Sequence, residues 1–122
     1  MHELSLARAI VSIVQEHISD ADSGYVARVN VRLGKSAGAV AGSLQLAFKA
    51  LTAQGPLGRA ALIIDEVPFC VHCLVCGMDS ENADGLRICA RCGKTDVEIL
   101  SGIELEVSSI EMEEGVYEYH HD

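Results

Sequence analysis

Apolar residues recur at helical spacing in two segments of the chain. Between residues 4 and 18, aliphatic side chains fall three or four positions apart and polar side chains fall between them, which is the pattern of an amphipathic helix. A second helix is predicted from about residue 40 or 43 to residue 53. Gly55 and Pro56 follow it, as expected where a helix ends. Its predicted inner face consists of Leu44, Ala47, Phe48 and Leu51.

Other segments have the two-residue period or the short apolar runs of strands. Residues 25–33 alternate, residues 61–67 are rich in aliphatic side chains, and a last long strand is predicted over residues 103–113. Three consecutive apolar residues at 62–64 predict cover on both faces of the second strand. The phase of the last strand flips at Ser108 and Ser109, which is typical of a β-bulge. The expected fold is α+β: a small three-stranded sheet packed on two helices.

Two C-x-x-C pairs give the clearest chemical pattern in the chain. They are Cys73 with Cys76 and Cys89 with Cys92, and a glycine follows each pair. Each pair can bring two thiolates to one ion, and the glycine permits the positive φ that closes the turn. The pattern therefore predicts a four-thiolate zinc ribbon. Two alternatives to zinc are less well supported by the sequence. Two disulfides would need an oxidising compartment, and a thioredoxin-type redox pair would need a single C-x-x-C entering a helix.

Two neighbouring residues leave alternatives open. Cys70 lies three residues before Cys73, but a closed tetrahedral site has no place for a fifth ligand, so we expect Cys70 to be a small buried or edge residue. His72 is either a solvated loop residue or a ligand or proton sensor near the metal. The predicted organisation is an α/β domain over residues 1–69 plus 96–122, with the zinc ribbon inserted at 70–95.

Composition narrows the range of functions. Hydrophobic residues make up 49% of the 122 positions but only five residues are aromatic, so the core must be aliphatic. A formal charge of -9 argues against a nucleic-acid partner. No apolar run approaches the roughly 20 residues of a membrane span, and no secretion leader is present, so we expect a cytoplasmic protein without membrane contact. The acidic carboxyl-terminal segment at residues 111–122, which contains His120 and His121, is expected to be a solvated tail or a weak binding site for metal ions.

The amino terminus has chelating chemistry of its own. With histidine at position 2, the α-amine of Met1, the amide nitrogen and Nδ1 of His2, and the amide nitrogen of Glu3 can surround one cation. Deprotonated amides suit cations that tolerate a tetragonal field, such as Ni(II) or Cu(II), rather than zinc or magnesium. The first helix starts almost at once, so this terminus is expected to be short and held in place.

The sequence resembles the HypA/HybF family of hydrogenase maturation (nickel-insertion) proteins. The similarity rests on M-H-E-L-S-L-A at the start, the four cysteines, G-I-E-L-E-V at 102–107 and I-E-M-E at 110–113. The resemblance implies that Met1, His2 and Glu3 bind nickel and that the four cysteines hold structural zinc. It implies delivery of nickel to the large subunit of [NiFe]-hydrogenase with a nickel-binding GTPase, possible support of urease maturation factors, and a monomer or weak homodimer.

The chain departs from some relatives, and other functions are weighed against the nickel carrier. Residues 24–64 contain no Asp, Glu or His that could add a nickel ligand before the second helix. A zinc-ribbon adaptor in transcription or RNA processing is the alternative, but it would need a basic face with exposed aromatic residues. An enzyme is not expected, since four thiolates leave zinc no open position. The chain has no phosphate-binding G-x-x-x-x-G-K-[ST] loop, so nucleotide hydrolysis must belong to a partner.

Overall fold

A computed structural model describes residues 2–113 and 115–118, with backbone only for His2 and for 115–118. A 3-10 turn at Ser23–Tyr25 precedes the first strand. The elements in chain order are α1 (His2–His17), β1 (Val26–Gly34), α2 (Ala41–Thr52), β2 (Ala61–Val67), β3 (Cys70–Cys73), β4 (Asp79–Glu81), β5 (Val97–Ser101), β6 (Leu105–Met112) and β7 (Gly115–Glu118). None of the helices in the described part of the chain combines the length and the apolar character that a membrane span requires.

The main sheet has the strand order β2-β1-β6-β7. The α+β class and the two helices are confirmed, but the sheet has four strands where three were predicted. The added strand is β7, which pairs antiparallel with β6 from Met112↔Gly115 to Ser109↔Glu118. The sequence of β7 lies in the acidic segment that was expected to be a solvated tail. Of that tail, residues 119–122 lie outside the described residues.

The core of this sheet and its helices is aliphatic, as the composition required. On α1 the buried side chains recur at positions 7, 10, 14 and 18, and Leu44 and Phe48 of α2 are likewise buried. Val107 and Ile110 of β6 are both buried although they are three residues apart, which agrees with the predicted flip of phase. Cover on both faces of β2 was a wrong prediction. Leu62 is buried but Ile63 is 42% exposed, so only one face of β2 is covered at these positions.

The chain divides into two compact units. The first comprises the chain up to Arg32, Ala39–Asp65, and the chain from Glu106 onward. The second comprises Leu33–Gly38 and Glu66–Leu105, and it contains a second sheet of order β4-β3-β5. The assignment of nickel to one unit and zinc to the other stays a prediction.

Three backbone segments of the second unit, at Gly34, Phe69 and Gly102, pass very close to one another. Gly102 has φ +104°, and a Cβ there would contact the Cα of Phe69 and lie 2.8 Å from its backbone nitrogen. A Cβ on Gly34 would in turn overlap the carbonyl of Gly102. Two backbone hydrogen bonds hold the crossing together: the N–H of Gly34 donates to the carbonyl of Glu104, and the N–H of Ser36 donates to that of Gly102, both at 2.7 Å. Side chains are therefore excluded at both glycines.

Candidate metal centre

The first C-x-x-C pair forms a turn that directs backbone donors at sulfur. Cys73 ends β3, and its Sγ accepts hydrogen bonds from the N–H groups of Val75 and Cys76, each at 3.4 Å. The turn closes where the N–H of Gly77 donates to the carbonyl of Cys73 at 3.0 Å. Gly77 has φ +75°, the conformation predicted for the glycine after the second cysteine.

The second pair repeats this geometry without a preceding strand. The N–H of Cys92 donates to Sγ of Cys89 at 3.5 Å, and the N–H of Gly93 donates to the carbonyl of Cys89 at 2.9 Å. Gly93 also has φ +75°. In both turns the first cysteine is buried and the second is exposed. The two turns are thus local structures of the same kind.

The four sulfurs converge as the sequence predicted. All lie within 4.8 Å of one another. Sγ of Cys73 is 3.6 Å from Sγ of Cys92, and Sγ of Cys76 is 3.7 Å from Sγ of Cys89. A tetrahedron with zinc–sulfur bonds of about 2.3 Å has edges of about 3.8 Å, whereas a disulfide joins its sulfurs at about 2.0 Å. The spacing therefore suits a four-thiolate metal site, and none of these cysteines forms a disulfide.

The first thiol of each turn is the more acidic one. Hydrogen bonds from the N–H groups of Cys92 and Arg91 lower the pKa of Cys89 to about 6. The pKa of Cys73 is also lowered, chiefly by the N–H of Cys76. The Met78 N–H acts to lower the pKa of Cys76, but desolvation and the neighbouring thiols outweigh it and raise that pKa to about 11. A metal ion that binds all four sulfurs must therefore displace a more tightly held proton from Cys76 than from Cys89.

The two residues left open by the sequence lie on β3. Cys70 is half-buried and does not belong to the four-sulfur cluster, which agrees with the expectation of a buried or edge residue. His72 is a strand residue rather than a loop residue, and its Nδ1 lies 2.6 Å from Oδ1 of Asp79. Sequence reasoning missed this partner, because only the pairing of β3 with β4 brings the two residues together.

The predicted nickel ligands lie at the start of α1. Met1 and the side chain of His2 lie outside the described residues, whereas the backbone of His2 is the first residue of the helix. The carboxylate of Glu3 accepts a hydrogen bond from the N–H of Val40 at 3.3 Å. Val40 is the N-cap of α2 and no side chain caps it. Glu3 therefore connects the first turn of α1 to the start of α2.

Comparison with known proteins covers most of the chain. Residues 1–112 match the family model described as hydrogenase/urease nickel incorporation, metallochaperone, hypA. The hydrogenase maturation factor HypA of Desulfosudis oleivorans is 39% identical over 115 residues, which cover 93% of this chain and all of the relative. The factor of the same name from Chloroflexus aggregans is also 39% identical, with coverage of 91% and 98%.

Solved structures show the same fold at lower identity. The solution structure of the Ni metallochaperone HypA from Helicobacter pylori gives a TM-score of 0.63 at 23% identity, and covers 90% of this chain and 96% of that one. A solution structure described as HypA protein gives 0.64 at 24% identity, with coverage of 92% and 96%. On the family match and these identities, the chain belongs to the HypA family of hydrogenase and urease nickel-incorporation metallochaperones.

Proposed function

We propose that this protein carries Ni(II) at its amino terminus while zinc on the four cysteines stabilises the second unit. In this proposal Met1, His2 and Glu3 hold nickel, and Cys73, Cys76, Cys89 and Cys92 hold zinc. Nickel is a cargo destined for the large subunit of [NiFe]-hydrogenase, with a nickel-binding GTPase as partner and urease maturation factors as further candidates. The protein acts in the cytoplasm as a monomer or weak homodimer.

Membership of the HypA family decides between the functions weighed from the sequence. The family is one of metallochaperones, so the chain is not an enzyme, and the zinc-ribbon adaptor is not supported. Nickel incorporation for hydrogenase or urease is the activity that the family model describes. The ligands, the partner and the client enzyme belong to the proposal.

The observation that carries the nickel site is that α1 begins at His2 and is anchored from its first turn. Glu3 reaches the N–H of Val40, and Ala7, one turn further along, is fully buried. Of the groups in the proposed chelate, the amide nitrogens of His2 and Glu3 belong to this helical turn, so less of the backbone has to be ordered when the ion binds. The pre-ordered backbone thus lowers the entropy cost of enclosing the ion.

The electrostatics of a helix start also suit this kind of chelate. The first N–H groups of a helix are not used in its own hydrogen-bond ladder, and the partial positive charge there favours loss of an amide proton. Ni(II) that displaces two amide protons and the ammonium proton of Met1 does not raise the positive charge at the helix start. A hydrated divalent cation would be repelled there. The site should therefore favour d8 or d9 cations over magnesium or zinc.

The zinc role rests on the geometry of the cysteine cluster. Sulfur distances of 3.6 and 3.7 Å approach the edge of a zinc–thiolate tetrahedron, and four thiolates leave no open position for cargo exchange. Zinc therefore suits a permanent structural role at the four cysteines, whereas a transferable cargo needs another site. Nickel must leave when it is delivered, so we expect micromolar binding, a free energy of roughly 8 kcal/mol.

The test is nickel binding by zinc-loaded protein, measured by isothermal titration calorimetry and visible absorption. His2→Ala should remove the nickel site and leave one zinc per chain and the far-ultraviolet circular dichroism unchanged. His17→Gln is the matched control at the other end of α1, and it should bind nickel as the unmodified protein does. Acetylation of the α-amine should weaken nickel binding as strongly as His2→Ala. Undiminished nickel affinity in both the His2→Ala and the acetylated protein would refute the amino-terminal site.

A further inference from the structure

One face of the second sheet places a histidine between two carboxylates. His72 on β3 lies directly opposite Asp79 on β4 and directly opposite Glu98 on β5. Residues directly opposite one another in antiparallel strands point to the same face, with Cβ atoms about 5 Å apart. Asp79, His72 and Glu98 therefore form one row across the three strands, which we call the His72 row.

The two faces of β3 differ sharply. Val71 and Cys73 are fully buried, whereas the side chain of His72 is 36% exposed and that of Asp79 is 65% exposed. The three strands contain no lysine or arginine. Two carboxylates of the His72 row thus flank one imidazole, with no cation from the same strands to balance them.

The imidazole of His72 is oriented by its neighbour. Its Nδ1 lies 2.6 Å from the carboxylate of Asp79, so the tautomer with its proton on Nδ1 donates to that carboxylate and leaves the lone pair of Nε2 available to a metal ion. A carboxylate on one ring nitrogen is the arrangement that orients metal-binding histidines, with the metal on the other nitrogen. Glu98, on the opposite side of His72 from Asp79, is exposed and has no hydrogen bond or ion pair within the described part of the chain.

We propose that the His72 row is a second metal site, separate from the four cysteines and from the amino terminus. Nε2 of His72 and the carboxylate of Glu98 bind a first-row divalent cation, and Asp79 positions the imidazole. Imidazole with carboxylate suits Zn(II) or Ni(II), and the solvent-exposed face leaves the remaining positions to water. The ion also neutralises the two carboxylates.

This site should exchange its metal ion readily rather than stabilise the fold. Two protein ligands and several waters let an incoming ligand replace water without first breaking a protein bond, which four thiolates do not allow. Glu98 must rotate onto the ion, and its exposed side chain is able to do so. The His72 row therefore holds an ion weakly, in a place that another protein can reach.

The experiment isolates the His72 row from the other histidines. The background is the full chain with its cysteines loaded with zinc and with the changes His2→Ala, His17→Gln, His120→Gln and His121→Gln, so that His72 is its one remaining histidine. Further Zn(II) is titrated by calorimetry, and Co(II) is added in parallel to look for hyperfine-shifted imidazole protons by NMR. The background protein should bind one additional equivalent and show one shifted imidazole.

The variants decide whether the assigned residues carry the site. His72→Gln should abolish the additional equivalent and the shifted resonances, and Asp79→Asn and Glu98→Gln should each weaken binding about tenfold or more. Glu81→Gln, on the same strand as Asp79 but opposite Cys70, is the matched control and should change nothing. Absence of the additional equivalent in the background, or its survival in His72→Gln, would overturn the proposal. Either result leaves the nickel chelate untouched, because the background lacks His2.

Discussion

Replacement of Gly102 by alanine should be among the most damaging single substitutions in the second unit. Gly102 has φ +104°, a conformation that residues with a side chain rarely adopt. The added Cβ would also lie 2.8 Å from the nitrogen and 2.9 Å from the Cβ of Phe69. These atoms belong to the backbone or are bonded directly to it, so rotation of a side chain cannot remove the overlap.

The magnitude is the sum of two effects. Holding a non-glycine residue in a sparsely populated backbone conformation costs about 1–3 kcal/mol. Forcing an extra methyl group into a closely packed place costs about 1–3 kcal/mol more. Gly102→Ala should therefore destabilise the folded chain by about 2–6 kcal/mol, a large part of the roughly 5–15 kcal/mol that a domain has in total.

Urea unfolding of the zinc-loaded protein measures this loss, and a second glycine separates the two effects. Gly85 has φ +70°, but the nearest atom to an added Cβ is the hydroxyl of Ser36 at 2.5 Å, which rotation moves away. Gly85→Ala should therefore cost only the backbone strain, about 1–2 kcal/mol. If Gly102→Ala lowers the free energy of unfolding no more than Gly85→Ala does, the close approach to Phe69 is not a determinant of stability.

Two further predictions concern the metal and the sheet. Cys89→Ser should release zinc and loosen the second unit, since a structural zinc contributes on the order of 10 kcal/mol to folding. Cys70→Ser is the control and should retain its zinc. Stoichiometric zinc in purified Cys89→Ser, measured by metal analysis, would contradict the ligand set. Hydrogen bonds from Arg28 and Asn30 lower the pKa of Glu111 from 4.5 to about 2, so its stabilising effect is present above pH 4.5 and disappears as the pH falls towards 2. The difference in melting temperature between native protein and Glu111→Gln should shrink across that range, and a constant difference would count against the ion pair.

The metal centre could be predicted because its determinants are local. Each C-x-x-C turn is complete within a few residues, and the positive φ of Gly77 and Gly93 follows from the turn itself. The helices could be predicted for a similar reason, because their apolar faces have a period that only a helix satisfies. The expected strand at 61–67 also matches β2 in its bounds.

Features that depend on pairing between distant segments could not be predicted. β7 exists because residues 115–118 pair with β6, and its acidic sequence alone resembled a solvated tail. Ile63 looked buried because its neighbours are apolar, but its exposure depends on which face of the sheet the rest of the chain covers. His72 acquires Asp79 and Glu98 as neighbours only through the register of three strands.

The near-identity of the two cysteine turns has a consequence for how zinc enters and leaves. Because each turn closes through its own hydrogen bonds, the two cysteine pairs act as two bidentate ligands for zinc rather than as four independent sulfurs. Zinc uptake should proceed in two steps, in which one cysteine pair binds the ion first and the other pair then completes the coordination. Release should follow the same order backwards, through a half-coordinated state that a competing thiol ligand can intercept. The rate of zinc exchange should therefore depend on how easily one cysteine pair dissociates from the ion while the other pair remains bound.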